Sequence, residues 1–296
     1  MTVRNAKARR NASPGLFVPP ECRAAIRRGA LVAISHSGGK DSQAMTILVS
    51  RLVPPGQLVA VHAPLGDIEW PGTIEHIEAT IPPGVPLILA PIASGKTLLE
   101  AIEERGKFPD SARRYCTAGW KRGPIERELR RYLKAHPRFG GRVVNTMGMR
   151  ADESPARAKR MPWQRNDRNS RAGREWFDWL PIHDLSAADV FRVIDEAGQS
   201  PHWAYAAGMS RLSCSFCILA SRADLRRAAE LRPALYRKYA HLEQRIGHTL
   251  SPTRTPLPEV TGVPVPSSAT DQDLNIESRD PRIDIPARRA AGCNPP

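Results

Sequence analysis

Long apolar runs are missing: none of about eighteen residues or more occurs in the 296-residue sequence, which argues against a helix built to cross a bilayer. No apolar stretch follows the basic N-terminus MTVRNAKARRNASPG, so no Sec signal is expected and the cytoplasm is the expected compartment. Acid is scarce as well. Asp and Glu total 30 against 44 Lys and Arg, and the formal net charge of +14 favours an anionic partner such as a nucleotide phosphate or a nucleic acid. Cysteine is sparse and odd in number at five, which argues against a fully paired disulfide framework. In a reducing compartment, Cys214-x-x-Cys217 reads as metal binding or redox chemistry before structural disulfide.

What is present is an alternation of apolar and amphipathic segments. ALVAIS (30–35), QLVAVHAPL (57–65), VPLILAPI (85–92) and RVVNTMGMR (142–150) read as strands. Between them DSQAMTILVSRL (41–52), PGTIEHIEATI (71–81), GKTLLEAIEERG (95–106, closed by Gly106) and PIERELRRYLKAH (124–136) read as helices. This order predicts an α/β fold: a doubly wound parallel sheet, Rossmann-like, with a helical C-terminal part and ligands at the carboxyl ends of the strands. One domain over 21–250 is expected, between a basic tail (1–20) and a Pro-rich, disordered tail (251–296).

The densest chemical signal is SHSGGKDS, residues 35–42. A buried strand ends at Ser35, Gly38 and Gly39 are free to take positive φ, and a helix begins near Asp41. Successive backbone N–H groups and a helix N-terminus then point at one spot, and that spot favours an anion. Lys40 adds a point charge, and the hydroxyls of Ser37 and Ser42 add donors for phosphate oxygens. The stretch APIASGKT (90–97) is a decoy: Ala90 stands where a Walker loop requires its first glycine, so a strand, a Ser94 cap and a helix start are expected there.

A second segment, GMRADESPAR (148–157), follows the strand VVNTM and offers Gly148 and the planar forks of Arg150 and Arg157 to phosphate or sulfate oxygens. Asp67 and Glu69 stand where a carboxylate accepts from ribose hydroxyls, or where a plain turn lies. Cys214 and Cys217 have ligand spacing, with a buried apolar pair or a redox dithiol as alternatives. His36 contacts phosphate or packs, and His183 packs or caps ahead of a Ser186-capped helix. Arg160, Arg165, Arg168, Arg171 and Arg174 form a surface or contact nucleic acid. Trp163, Trp176 and Trp179 stack on bases or fill a core.

Ser37 to Ser42 resembles the PP-loop, S-G-G-x-D-S, of the adenine nucleotide α-hydrolase-like superfamily, many of whose members cleave ATP between the α and β phosphates. FPDSARRYCTAGWKRGP (108–124) and GMRADESPAR are similar to segments of the phosphoadenosine phosphosulfate (PAPS) reductase family, and the resemblance spans about 30–225. It implies a nucleotide site of Ser35, Ser37, Gly38, Gly39, Lys40, Asp41, Ser42, Asp67, Gly148, Arg150 and Arg157, with Lys40, Asp41 and Arg150 catalytic. It also implies that Cys116 folds back toward Cys214 and Cys217 to hold a [4Fe–4S] cluster or part of a zinc site, with Cys22, Cys293, His202 or a substrate atom completing the set.

The chain ends RRAAGCNPP, without the Glu-Cys-Gly-x-His segment of assimilatory reductases, and Cys116 has no adjacent cysteine. Its pattern is closer to the PP-loop proteins of DNA phosphorothioation and to phage- or plasmid-borne members. The implied activity is ATP-dependent adenylation of an acceptor, nucleic acid included, with Mg2+ on the leaving pyrophosphate and sulfur from a donor protein. The alternatives are a thioredoxin-dependent reductase of PAPS or APS, and a non-catalytic nucleic-acid-binding protein with a regulatory nucleotide site.

Overall fold

A computed structural model of the chain describes residues 15–266. The apolar runs form a six-stranded sheet of β1 (Leu31–Ser35), β2 (Leu58–His62), β3 (Leu87–Leu89), β4 (Arg142–Met147), β5 (Trp163–Arg165) and β6 (Glu175–Trp179). Their spatial order is β3-β2-β1-β4-β6-β5, parallel throughout except for β5, which pairs antiparallel with β6 at one edge. That antiparallel edge departs from the expected all-parallel sheet. From β1 the chain winds outward through β2 and β3, then returns to β4 on the other side of β1. The crevice above the ends of β1 and β4 is therefore the switch point at which such sheets bind ligands.

Strand alternation sorts the side chains between two faces. Val32 and Ile34 of β1, Leu58 and Ala60 of β2 and Val144 of β4 face one way, onto α1 (Pro20–Arg27), α2 (Lys40–Ser50) and a later helix at Ala187–Glu196. Leu31, Ala33, Val59, Val61 and Val143 face the other, onto Leu129 and Leu133. A separate cluster holds the C-terminal part together around Trp70, Phe108, Phe216, Tyr236 and Tyr239.

In chain order the remaining α-helices of five residues or more are α3 (Thr73–Thr80), α4 (Leu98–Arg105), α5 (Gly123–Ala135), α6 (Ala187–Glu196), α7 (Arg222–Leu231), α8 (Pro233–Ile246) and α9 (Leu257–Thr261). Gly106 ends α4 in the left-handed region, φ 61°, as expected. The start of α4 differs from expectation: Thr97, not Ser94, caps it, because Glu100 three residues on completes a reciprocal box with Thr97.

Both expected tail boundaries also move inward on the tails. Phe17 bonds the backbone of Pro181 and receives the Trp179 indole N–H at 2.8 Å, so the packed chain starts before residue 20. Beyond residue 250, Leu257 is buried and Tyr236 donates to the Val263 carbonyl, so at least 257–263 belongs to the fold. Cys293 lies outside the described residues.

Candidate functional site

The loop after β1 is shaped by a few local bonds. Gly38 takes φ +77°, and a β-carbon there would lie 2.8 Å from Thr73 Cγ2, so the position requires glycine on two counts. Gly39 instead stays extended, at φ −83°, and caps α2. Inside the loop, Ser37 N–H donates to Ser42 Oγ and Ser42 Oγ donates to the Gly39 carbonyl. His36 Nδ1 accepts from Gly38 N–H at 3.0 Å, and burial together with His76 and His62 pushes its ring down to about 3. His36 is therefore a neutral buttress of the loop. Tyr205 Oη accepts from Lys40 N–H at 3.0 Å. The amides of Gly39, Asp41 and Ser42, which have no carbonyl one turn back, are those left for an anion.

A cleft of about 250 Å³ opens over this loop. Ser35, His36, Ser37, Gly39 and Asp41 form its floor, Gly148 and Arg157 come from the β4 side, and His62, Glu69 and Thr73 come from the β2 side. Lys121, Arg211 and Ser213 contribute to a further wall, and Glu153, paired with Arg157, lines the cleft beside it. Gly148 has no room for a side chain, since a β-carbon would sit 2.9 Å from the Asp41 and Ser42 backbone. Glu69 Oε2 accepts from Leu65 N–H and lies 3.2 Å from His62 Nε2, while His62 Nδ1 donates to the His36 carbonyl at 2.9 Å.

Of the residues that sequence reasoning placed in the nucleotide site, Gly38, Lys40, Ser42, Asp67 and Arg150 lie off the cleft lining. The Lys40 ammonium is buried, paired with Asp41 at 3.0 Å, and lies 6.0 Å and 5.7 Å from the ring centroids of Phe191 and Tyr205. Arg150 is 4 % exposed, bonds Asp41 Oδ1 through Nε at 2.6 Å, and is held by Asp152 through the fork. Asp41 thus ties the start of α2 to the loop after β4. Asp67 is 81 % exposed and faces Lys238, while Glu69, two residues on, lines the cleft. Lys121 and Arg211 were missed as site residues, although Lys121 belongs to the Cys-Thr-x-x-x-Lys segment quoted above.

Cys116, Cys214 and Cys217 come near Lys121, and Cys116 and Cys214 feel its charge. The sulfurs nearby, Cys214 foremost, hold the Lys121 ammonium above its ordinary value. Burial pushes Cys116 upward and Cys214 up to about 11. Among the described residues, however, no three His, Cys, Asp or Glu side chains converge closely enough to hold a metal ion. A trio of thiols with a lysine among them does not fit a cluster or zinc site as it stands. Nor do Cys22 and His202, two of the suggested fourth ligands, join it. Cys22 is buried in the sheet-side core, and His202 caps the turn at Ala204 through Nδ1, with its ring against His76.

The tryptophans serve packing. Trp176 and Trp179 are fully buried, and Trp163 stacks on Phe177 with centroids 4.8 Å apart. Arg165 and Arg168 pair with Asp167 and Glu126, Arg174 bonds the Asn169 carbonyl, and Arg160 and Arg171 are exposed. No helix of the described residues is long and apolar enough to cross a membrane.

Residues 31–220 match the family model described as the phosphoadenosine phosphosulfate reductase domain. An uncharacterized protein of Methanocaldococcus jannaschii is 27 % identical over 214 residues, which is 72 % of this chain and 48 % of that protein. An uncharacterized 37.8 kDa protein of Escherichia phage 186 is 30 % identical over 132 residues, 45 % of this chain and 38 % of that protein. The chain therefore spans less than half the length of these curated relatives.

Among solved structures, the phosphate complex of phosphoadenylyl-sulfate reductase from Candida auris is similar at 14 % identity and TM-score 0.41, covering 71 % of this chain and 92 % of that one. Candida glabrata FMN adenylyltransferase with FMN and the ATP analogue AMPCPP gives 16 % identity and TM-score 0.39, covering 62 % of this chain and 53 % of that one.

Proposed function

The chain belongs to the phosphoadenosine phosphosulfate reductase domain family, and on that premise we propose that its cleft binds ATP or a related adenine nucleotide and adenylates an acceptor for sulfur transfer. The observation that carries this reading is the convergence, at the β1/β4 switch point, of the free amides of the α2 start with Lys121, Arg157 and Arg211. Lys121, Arg211 and Arg157, the last also paired with Glu153 in the same lining, together with a helix N-terminus suit a chain of phosphates. In this reading they hold the β and γ phosphates while an acceptor oxygen attacks the α-phosphorus, and pyrophosphate leaves. Any Mg2+ would neutralise the leaving group. With no three-ligand protein cage among the described residues, it would be held chiefly by the phosphates. Sulfur presented from the neighbouring thiols then displaces AMP from the acceptor.

A second reading is favoured by one observation: Cys214 directly follows Ser213 of the cleft wall, which puts a cysteine one residue from the cleft lining. That suits a sulfonucleotide reductase, with thioredoxin as the external dithiol. Calorimetry with ATP, PAPS and AMP on wild type and on Lys121→Ala/Arg157→Ala separates the two. ATP binding that weakens about tenfold or more in the variant supports adenylation. Binding of PAPS but not ATP, with sulfite released on adding thioredoxin, would overturn it in favour of the reductase.

A further inference from the structure

The segment 211–222 lines two different hollows. Its first residues, Arg211 to Ser213, face the nucleotide cleft. Its last, Cys217 onward, face a second cavity of about 290 Å³ that shares no lining residue with the cleft. The three thiols differ accordingly. Cys116 and Cys214 pack against the apolar cluster of the C-terminal part, and burial holds both thiols protonated. Cys217 stands outside that cluster, half-buried in the cavity wall, and its sulfur accepts the Leu219 N–H at 3.5 Å. Of the three thiols, Cys217 alone lines this second cavity, so it is the one that a molecule seated there would meet.

The cavity also indicates what kind of molecule it takes. Leu225 and Leu250 give it apolar walls. Ser251, Thr253 and Thr255 run along it as a chain of hydroxyls, linked at 2.7 Å and 3.0 Å. Arg222 lies in the wall, fixed by the carbonyls of Val260 and Glu259. Hydroxyls and one guanidinium beside a thiol suit a small, polar, carboxylate-bearing sulfur compound.

We propose that this cavity is a sulfur-loading site, in which a low-molecular-weight persulfide R–S–SH transfers its terminal sulfur to Cys217. The Cys217 thiolate attacks the terminal sulfur, the S–S bond of the donor breaks, and R–S⁻ leaves to take up a proton as R–SH. Cys217 becomes a persulfide, and no net oxidant or reductant is consumed. The inference deepens the sulfur-transfer reading, and rests on it only for the later use of that sulfur.

The test uses the full chain, purified anaerobically, treated with glutathione persulfide, alkylated and mapped by peptide mass spectrometry. The added sulfur is expected on Cys217 at about tenfold or more over Cys116 and Cys214, and it disappears in Cys217→Ser. Thr253→Trp, which fills the cavity, is expected to slow loading from glutathione persulfide about tenfold while sparing loading from inorganic hydrodisulfide. Equal labelling of all three cysteines, equal slowing of both reagents by Thr253→Trp, or stoichiometric iron or zinc released in Cys217→Ser would each overturn the proposal. ATP binding measured on the same preparations separates the two readings. Loading without ATP binding sinks the adenylation reading alone, and ATP binding without loading sinks this one alone.

Discussion

His36 buttresses the loop after β1, His202 meets His76 edge to face, and all three are held neutral. Burial pushes His36 and His202 down to about 3 and also lowers His76. In the unfolded chain each takes up a proton near its ordinary value of 6.5, so the unfolded state binds more protons between the two values. Stability from these residues is complete above the ordinary value and drains as the pH falls toward about 3, by up to about 1.4 kcal/mol per pH unit per histidine. Urea melts between about pH 7 and about pH 5 should show this fall, and His36→Gln should flatten it by about one histidine's share. An unchanged slope in the variant would mean that His36 is protonated in the fold.

At this same scale the sequence was only partly legible. The loop residues that act through backbone, Gly38 and Gly148, could be read because steric demand leaves a mark in residue type. The direction of a long side chain leaves none. Lys40 turns toward Phe191 and Tyr205, which lie some 150 residues further along the chain, so no local pattern could assign it to the wall rather than to the cleft.

Elements with internal punctuation were legible almost to their ends. Ser186 caps α6 and shares a reciprocal box with Asp189, as the run from His183 suggested. Ser186→Ala should cost about 1 kcal/mol, read by chemical denaturation, because one N-terminal donor loses its acceptor. A loss within error would mean that water replaces the cap. Since α6 carries Phe191 over Lys40 and packs on α2, the same variant reports how firmly that helix pair holds the loop. Two features had no readable signal. β5 is three residues long, too short for an alternating pattern to declare itself, and its antiparallel pairing is set by β6. The π-helical turn Ala118–Arg122, which brings Lys121 to the cleft wall, depends on a hydrogen-bonding register that composition does not encode.

At the scale of the molecule, the phosphate loop hangs from β1, which has a parallel neighbour on each side, while the thiol-bearing segment leads into the separately packed helices α7 to α9. The helices α7, α8 and α9 follow one another closely in the chain, and their apolar cluster, which also takes in Trp70 and Phe108, is separate from the two clusters on the sheet faces. Native-state hydrogen exchange should find the amides of β1 and β4 opening only with the whole molecule, and those of α7 and α9 opening earlier. Exchange at a single common free energy would show one cooperative unit instead. If the units separate, a brief detachment of the C-terminal helices uncovers Cys214 and Phe216 while the loop after β1 keeps its shape. The rate at which an alkylating reagent reaches Cys214 then becomes a clock for that detachment, readable with nucleotide still in place.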